Sequence, residues 1–126
     1  MNINPVGWFE IYVQDMPRAR KFYESVLRVG LEVLGAPNDA HVEMMAFPMN
    51  MEHPGAAGAL VKMDGFPSGG NSTLVYFNCL DCAEEAGRVV AAGGQVQSEK
   101  MAIGEYGFCA LAVDTEGNMF GLHSMQ

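Results

Sequence analysis

The chain has 126 residues, 49% of them hydrophobic and 17% charged, which fits one globular domain and excludes a disordered chain. A formal charge of −8 with seven scattered basic residues excludes nucleic acid as a partner, since phosphates need clustered Lys and Arg. No apolar stretch approaches the roughly 20 residues of a membrane span. The start, MNINPVGWFE, lacks the basic and apolar regions of a secretion signal, so a cytoplasmic protein without a membrane partner is expected.

Trp8 to Val13 is rich in aromatic and β-branched residues and reads as a strand. Asp15 follows as a helix cap, with Pro17 in the first turn, and Ala19, Phe22, Tyr23, Val26 and Leu27 fall at the spacing of one apolar helical stripe. Residues 30–35 read as a second strand, Pro37-Asn38-Asp39 as a turn, and 41–47 as a strand of uncertain facing. A loop from 48 to 57 leads to a short strand at 58–62. The stretch 64–72, DGFPSGGNS, has linker composition.

The pattern then repeats. Residues 73–79 form a strand, Asp81 replaces Asp15 as the cap with Glu84 at the third helical position, and Ala86, Val89 and Val90 face the core. Gly93-Gly94 ends the helix; residues 95–97, 108–113 and 119–123 are strands, with a loop at 98–107 and a hairpin turn at 114–118 whose Gly117 needs a left-handed backbone. Both halves thus run β-α-β-β-β. The expectation is an α+β fold of tandem βαβββ modules, about 5–63 and 73–124 with a linker at 64–72, in one domain of residues 1–126. Two such sheets pair economically as an incomplete barrel around a cleft, a default place for a ligand.

The three cysteines, Cys79, Cys82 and Cys109, are odd in number, which argues against a disulfide framework and fits a reducing compartment. Cys79 and Cys82 form a C-x-x-C with no second pair, at a strand end and a helix start, and read as structural.

With these elements in place the sequence resembles the vicinal oxygen chelate superfamily, which holds glyoxalase, bleomycin-resistance and dihydroxybiphenyl-dioxygenase-like proteins. The resemblance rests on Val13-Gln14-Asp15 with Phe22-Tyr23, then Asp81, Ala91-Ala92-Gly93-Gly94, residues 104–108, residues 114–118 and Gly121-Leu122-His123-Ser124. It covers nearly the whole chain and implies paired modules and a homodimer.

The resemblance does not bring the superfamily's metal site. Its ligand positions correspond to Trp8, Leu74, Gly121 and, least securely, the neighbourhood of Gly58, and these residues offer a cation no lone pairs. No cofactor is expected, and a divalent ion is disfavoured. If Trp8 faces the cleft, strand alternation brings Glu10 and Tyr12 with it, and likewise Leu74, Tyr76 and Asn78, and Met119 and His123.

These eight residues are the candidate ligand-binding set: an aromatic, methionine-containing pocket with a few polar groups for a small organic ligand. Glu10, between Trp8 and Tyr12, is the candidate acid or base; the alternative is a structural hydrogen bond to Tyr76, Asn78 or water. His123 reads as a base, a ligand contact or a ring satisfied by backbone. His41 and His53 read as solvated. The ten methionines read mostly as core filler, with some at a pocket mouth or dimer interface.

The expected function is small-molecule binding, with sequestration or metal-free acid–base chemistry at Glu10. The alternatives are a metal-dependent lyase, isomerase or dioxygenase with non-standard ligands, or a non-catalytic interaction module.

Overall fold

A computed structural model describes residues 4–35, 41–52, 54–70 and 72–126. The turn expected at Pro37-Asn38-Asp39 and the side chain of His53 lie outside the described residues. In chain order the elements are β1 (Val6–Tyr12), α1 (Met16–Leu27), β2 (Glu32–Leu34), β3 (Val42–Ala46), β4 (Ala57–Met63), β5 (Thr73–Asn78), α2 (Cys82–Val89), β6 (Gln95–Ala102), a 3₁₀ turn (Gly104–Tyr106), β7 (Phe108–Val113) and β8 (Met119–Ser124). The chain forms two compact units, Trp8–Thr73 and Leu74–Gln126, and the segment ahead of Trp8 joins the second. There the Pro5 carbonyl accepts a bond from the Asn78 N–H at 2.8 Å.

In the unit Trp8–Thr73 the strands run β2-β3-β4-β1, with β1 and β4 parallel and the other pairs antiparallel. Asp15 caps α1 by accepting from the Arg18 N–H, and Pro17 sits in the first turn. At the other end Arg28 turns left-handed (φ 55°), and the Glu24 carboxylate draws the chain back. It accepts from the Leu31 N–H at 2.8 Å and from Arg20 Nε at 3.0 Å. That clamp seats Leu31 in the core with Val13, Met16, Met45 and Leu60, against Ile11, Ala19, Tyr23, Val29 and Phe47.

Only part of the expected helical stripe is used. Ala19 and Tyr23 pack on the sheet, whereas Phe22, Val26 and Leu27 are each more than half exposed. At 100° per residue, Met16, Ala19 and Tyr23 form the line that meets the sheet. Phe22 and Val26 fall on one flank of that line and Leu27 on the other.

In the second unit the order is β5-β8-β7-β6, with β5 and β8 parallel and the rest antiparallel. The start of α2 is capped twice. Asp81 accepts from the Ala83 N–H, and Ser124, at the end of β8, accepts from the Cys82 N–H at 2.9 Å. Cys82, Ala86, Ala110 and Leu122 form the core, with Phe77, Cys79, Phe108 and Phe120 packed on it. Val90 lies just past the helix and is exposed, not in the core as expected.

The loop expected at 98–107 is largely strand: β6 runs to Ala102 before the 3₁₀ turn. The half-buried positions of β6 alternate as Val96, Ser98 and Lys100, but two of the three are polar, so no apolar period announces the strand; two register shifts against β7 fall between Val96 and Ser98 and between Ser98 and Met101. The hairpin after β7 is as expected, with Asp114 accepting from the N–H groups of Glu116 and Asn118 and Gly117 at φ 84°. Among the described residues no helix is long and apolar enough to cross a membrane.

Candidate functional site

Ile11 and Val13 pack toward α1. Alternation along β1 therefore turns Trp8, Glu10 and Tyr12 to the opposite face of the sheet. There the three side chains meet. Trp8 Nε1–H donates to Glu10 Oε2 at 3.1 Å, and the Tyr12 hydroxyl donates to Glu10 Oε1 at 2.8 Å. Glu10 is 8% exposed and Tyr12 is buried as well. Each carboxylate oxygen thus takes an aromatic donor, which fixes the orientation of the carboxyl group.

In register with Glu10 are Ala59 on β4 and, beyond that, Ala46 on β3, both buried and both short. Tyr12 is held from two more directions. Its backbone N–H donates to the Ser72 carbonyl at 3.1 Å, and its ring stacks on Phe66 with centroids 5.2 Å apart and planes at 21°. The Gln14 side-chain amide donates to the Phe66 carbonyl at 3.0 Å. Phe66 and Gln14 were not among the expected site residues; an aromatic within a Gly- and Pro-rich linker was the available signal.

In the second unit the helix-facing residues are Phe77 and Cys79 on β5 and Phe120 and Leu122 on β8. Leu74, Tyr76 and Asn78, and Met119, Gly121 and His123, therefore share the other face. Tyr76 lies in register with Gly121 and Asn78 with His123. Leu74 is buried, and Tyr76, Asn78, Met119 and His123 are half-buried. His123 Nε2 bonds the Tyr106 carbonyl at 2.5 Å, so one ring nitrogen holds the 3₁₀ turn. His41 is exposed at the start of β3.

The positions that would ligate a metal in the superfamily do not fit one. The space that a side chain at Gly121 would take is filled by the Tyr76 ring. Gly58 pairs with Phe9, on the helix-facing side, and a Cβ there would lie 2.5 Å from the Phe9 carbonyl oxygen. Its neighbours on the Glu10 face are Ala57 and Ala59, which also lack lone pairs. Among the described residues no group of three or more His, Cys, Asp or Glu is placed to hold a metal ion.

Cys79 ends β5 beside α2. Burial, then the charge of the nearby Glu85, pushes its thiol up to about 11. The thiol donates to the Phe77 carbonyl at 3.6 Å. Cys82 and Cys109 are buried. None of the three has the electropositive, exposed setting of a reactive cysteine.

Paired βαβββ units define an α+β fold of the vicinal oxygen chelate type, and solved structures of that superfamily share it. A methylmalonyl-CoA epimerase variant from Streptomyces coelicolor, in complex with 2-nitronate-propionyl-CoA, is similar with a TM-score of 0.71 at 13% identity, covering 98% of each chain. The epimerase from Mycobacterium tuberculosis gives 0.66 at 11% identity over 98% of this chain and 89% of that one. A hypothetical protein from Bacillus halodurans C-125 gives 0.68 at 13% over 96% and 94%. At such identities the likeness shows the fold alone. No protein-family model and no curated protein matches the sequence.

Proposed function

We propose that this chain binds a small organic molecule at the face carrying Trp8, Glu10 and Tyr12, without a resident metal ion. One observation carries the reading: a nearly buried carboxylate, oriented by two aromatic donors, on the sheet face that the helix does not cover. Such a group is costly to bury and is held in one geometry, which suits it to recognise a donor on a ligand or to accept a proton from one. Sequestration and metal-free acid–base chemistry both use the same contact. Leu74, Tyr76, Asn78, Met119 and His123 are proposed as a ligand-binding set on the second unit's own sheet, on the face turned away from α2, and the protein is proposed to work in the cytoplasm as a homodimer.

The test compares wild type with Glu10→Gln by thermal shift against a panel of small organic compounds. The panel includes methylmalonyl-CoA, named with one of the structural neighbours, and bleomycin, suggested by the sequence resemblance. At least one compound raises the wild-type melting temperature, and Glu10→Gln loses that response while its ligand-free melting temperature stays within a degree or so of wild type, as expected for a near-isosteric change. A variant that melts several degrees lower, in a protein that no compound stabilises, would make Glu10 a structural acid and end the proposal.

A further inference from the structure

The segment between the two βαβββ patterns has the composition of a plain connector, yet it carries an aromatic ring, Phe66, stacked on Tyr12. We propose that Phe66, latched by Gln14, is a positioning residue for Glu10, an inference that rests on the Glu10 site being the functional one. Three contacts converge. The Phe66 and Tyr12 rings stack at 5.2 Å and 21°. The Phe66 backbone is tied at both ends, its carbonyl to Gln14 Nε2 at 3.0 Å and its N–H to the Met63 carbonyl at 3.2 Å. The Tyr12 hydroxyl, at the far end of the stacked ring, donates to Glu10 Oε1 at 2.8 Å.

A tyrosine has two side-chain torsions, and a ring stacked on one face keeps them from wandering. A fixed Tyr12 ring aims its hydroxyl at one carboxylate oxygen, and the second oxygen then meets Trp8. Phe66 therefore acts on Glu10 through Tyr12. Gln14 lies in the bend just past the end of β1, two residues after Tyr12, so the latch and the ring it steadies are close in the chain. Gly65, directly before Phe66, has φ 86°, a backbone turn that presents the Phe66 ring to Tyr12.

Trp8 is the single tryptophan, and its indole N–H is bonded to Glu10, so its fluorescence reports the carboxylate with no ligand needed. The experiment measures emission wavelength and acrylamide quenching of the full chain. Phe66→Ala is expected to red-shift the emission and raise the quenching constant by about twofold, the low end of what losing an aromatic stack allows. Gln14→Ala, at an exposed position, shifts both in the same direction and serves as the readout if Phe66→Ala does not fold. Phe66→Tyr keeps the stack and restores wild-type values. The deciding comparison is Tyr12→Phe, which removes the hydroxyl: adding Phe66→Ala to it should change Trp8 little further, because both act on one bond.

Unchanged Trp8 fluorescence in Phe66→Ala, or an effect that persists in full in the Tyr12→Phe background, overturns the proposal. The ligand reading falls separately. If no compound binds yet the coupling from Phe66 to Trp8 is present, the positioning role stands and the function proposed for Glu10 does not.

Discussion

Two glycines show how single residues shape the sheets. Gly58 pairs with Phe9, and a Cβ there would lie 2.5 Å from the Phe9 carbonyl oxygen and 2.6 Å from its ring. The backbone oxygen belongs to a paired strand and cannot give way, so Gly58→Ala is expected to cost on the order of 1–3 kcal/mol of overpacking, measured as a lower urea midpoint with an unchanged slope. Gly121 lies under the Tyr76 ring in the same way. Its lack of a side chain was legible as a missing ligand, but the ring that fills the space was not, because it comes from a strand far away in sequence. Cys79 makes the converse point. With its thiol pushed up to about 11 by burial and by Glu85, iodoacetamide at about pH 8 should label the native protein far more slowly than the unfolded chain, in which ordinary cysteines react. Mass spectrometry of the labelled protein reads the difference; prompt labelling of native Cys79 would show that the thiol is not held neutral.

At the scale of elements, what was legible was local and what was missed was long-range. Both helix caps could be read because Asp15 and Asp81 sit next to the amides they satisfy. The second cap on α2 could not, because Ser124 reaches Cys82 from the last strand. Ser124 is 1% exposed and its hydroxyl also donates to the Gln126 carbonyl. Ser124→Ala leaves a buried amide unsatisfied and should lower stability by about 1–3 kcal/mol. The start of β6 was legible at residues 95–97 but its continuation to Ala102 was not, because the half-buried positions there, Ser98 and Lys100, are polar and give no apolar period. Acid sensitivity also belongs to the element ends. Lys100, then the Ala83 amide, holds the Asp81 carboxyl below its usual value; the Asn118 and Glu116 amides do so for Asp114, and the Leu31 amide and Arg20 do so for Glu24. A carboxyl depressed in the folded state adds stability that is complete above its unfolded value, near pH 4, and is lost as pH falls through the lower folded value. The urea midpoint should therefore be flat above about pH 5 and drop below about pH 4. Asp114→Asn should lower the midpoint at neutral pH and make the acid drop shallower.

For the whole molecule the question is whether a cation belongs in it, and among the described residues no group of three or more His, Cys, Asp or Glu is placed to hold one. The chain has three histidines. Of the two whose side chains are described, His123 spends one ring nitrogen on the Tyr106 carbonyl, and His41 lies exposed at the start of β3. Glu10 already receives donors from Trp8 and Tyr12, one on each of its two oxygens. The cysteine donors fare no better: the Cys79 thiol is held protonated, whereas metals bind thiolate. A divalent site needs three or four such groups converging with lone pairs inward, and removing an ion from a structural site costs much of the folding free energy. Protein purified without chelator should hold far less than one zinc, nickel, iron or manganese per chain by elemental analysis, and EDTA should leave its melting temperature unchanged. One tightly held ion per chain, with a melting temperature that falls on chelation, would show that this sheet framework recruits donors away from the superfamily's positions. The carboxylate of Glu10 would then be the first group to examine as a ligand, because it is a buried acid on the same face of β1 as Trp8.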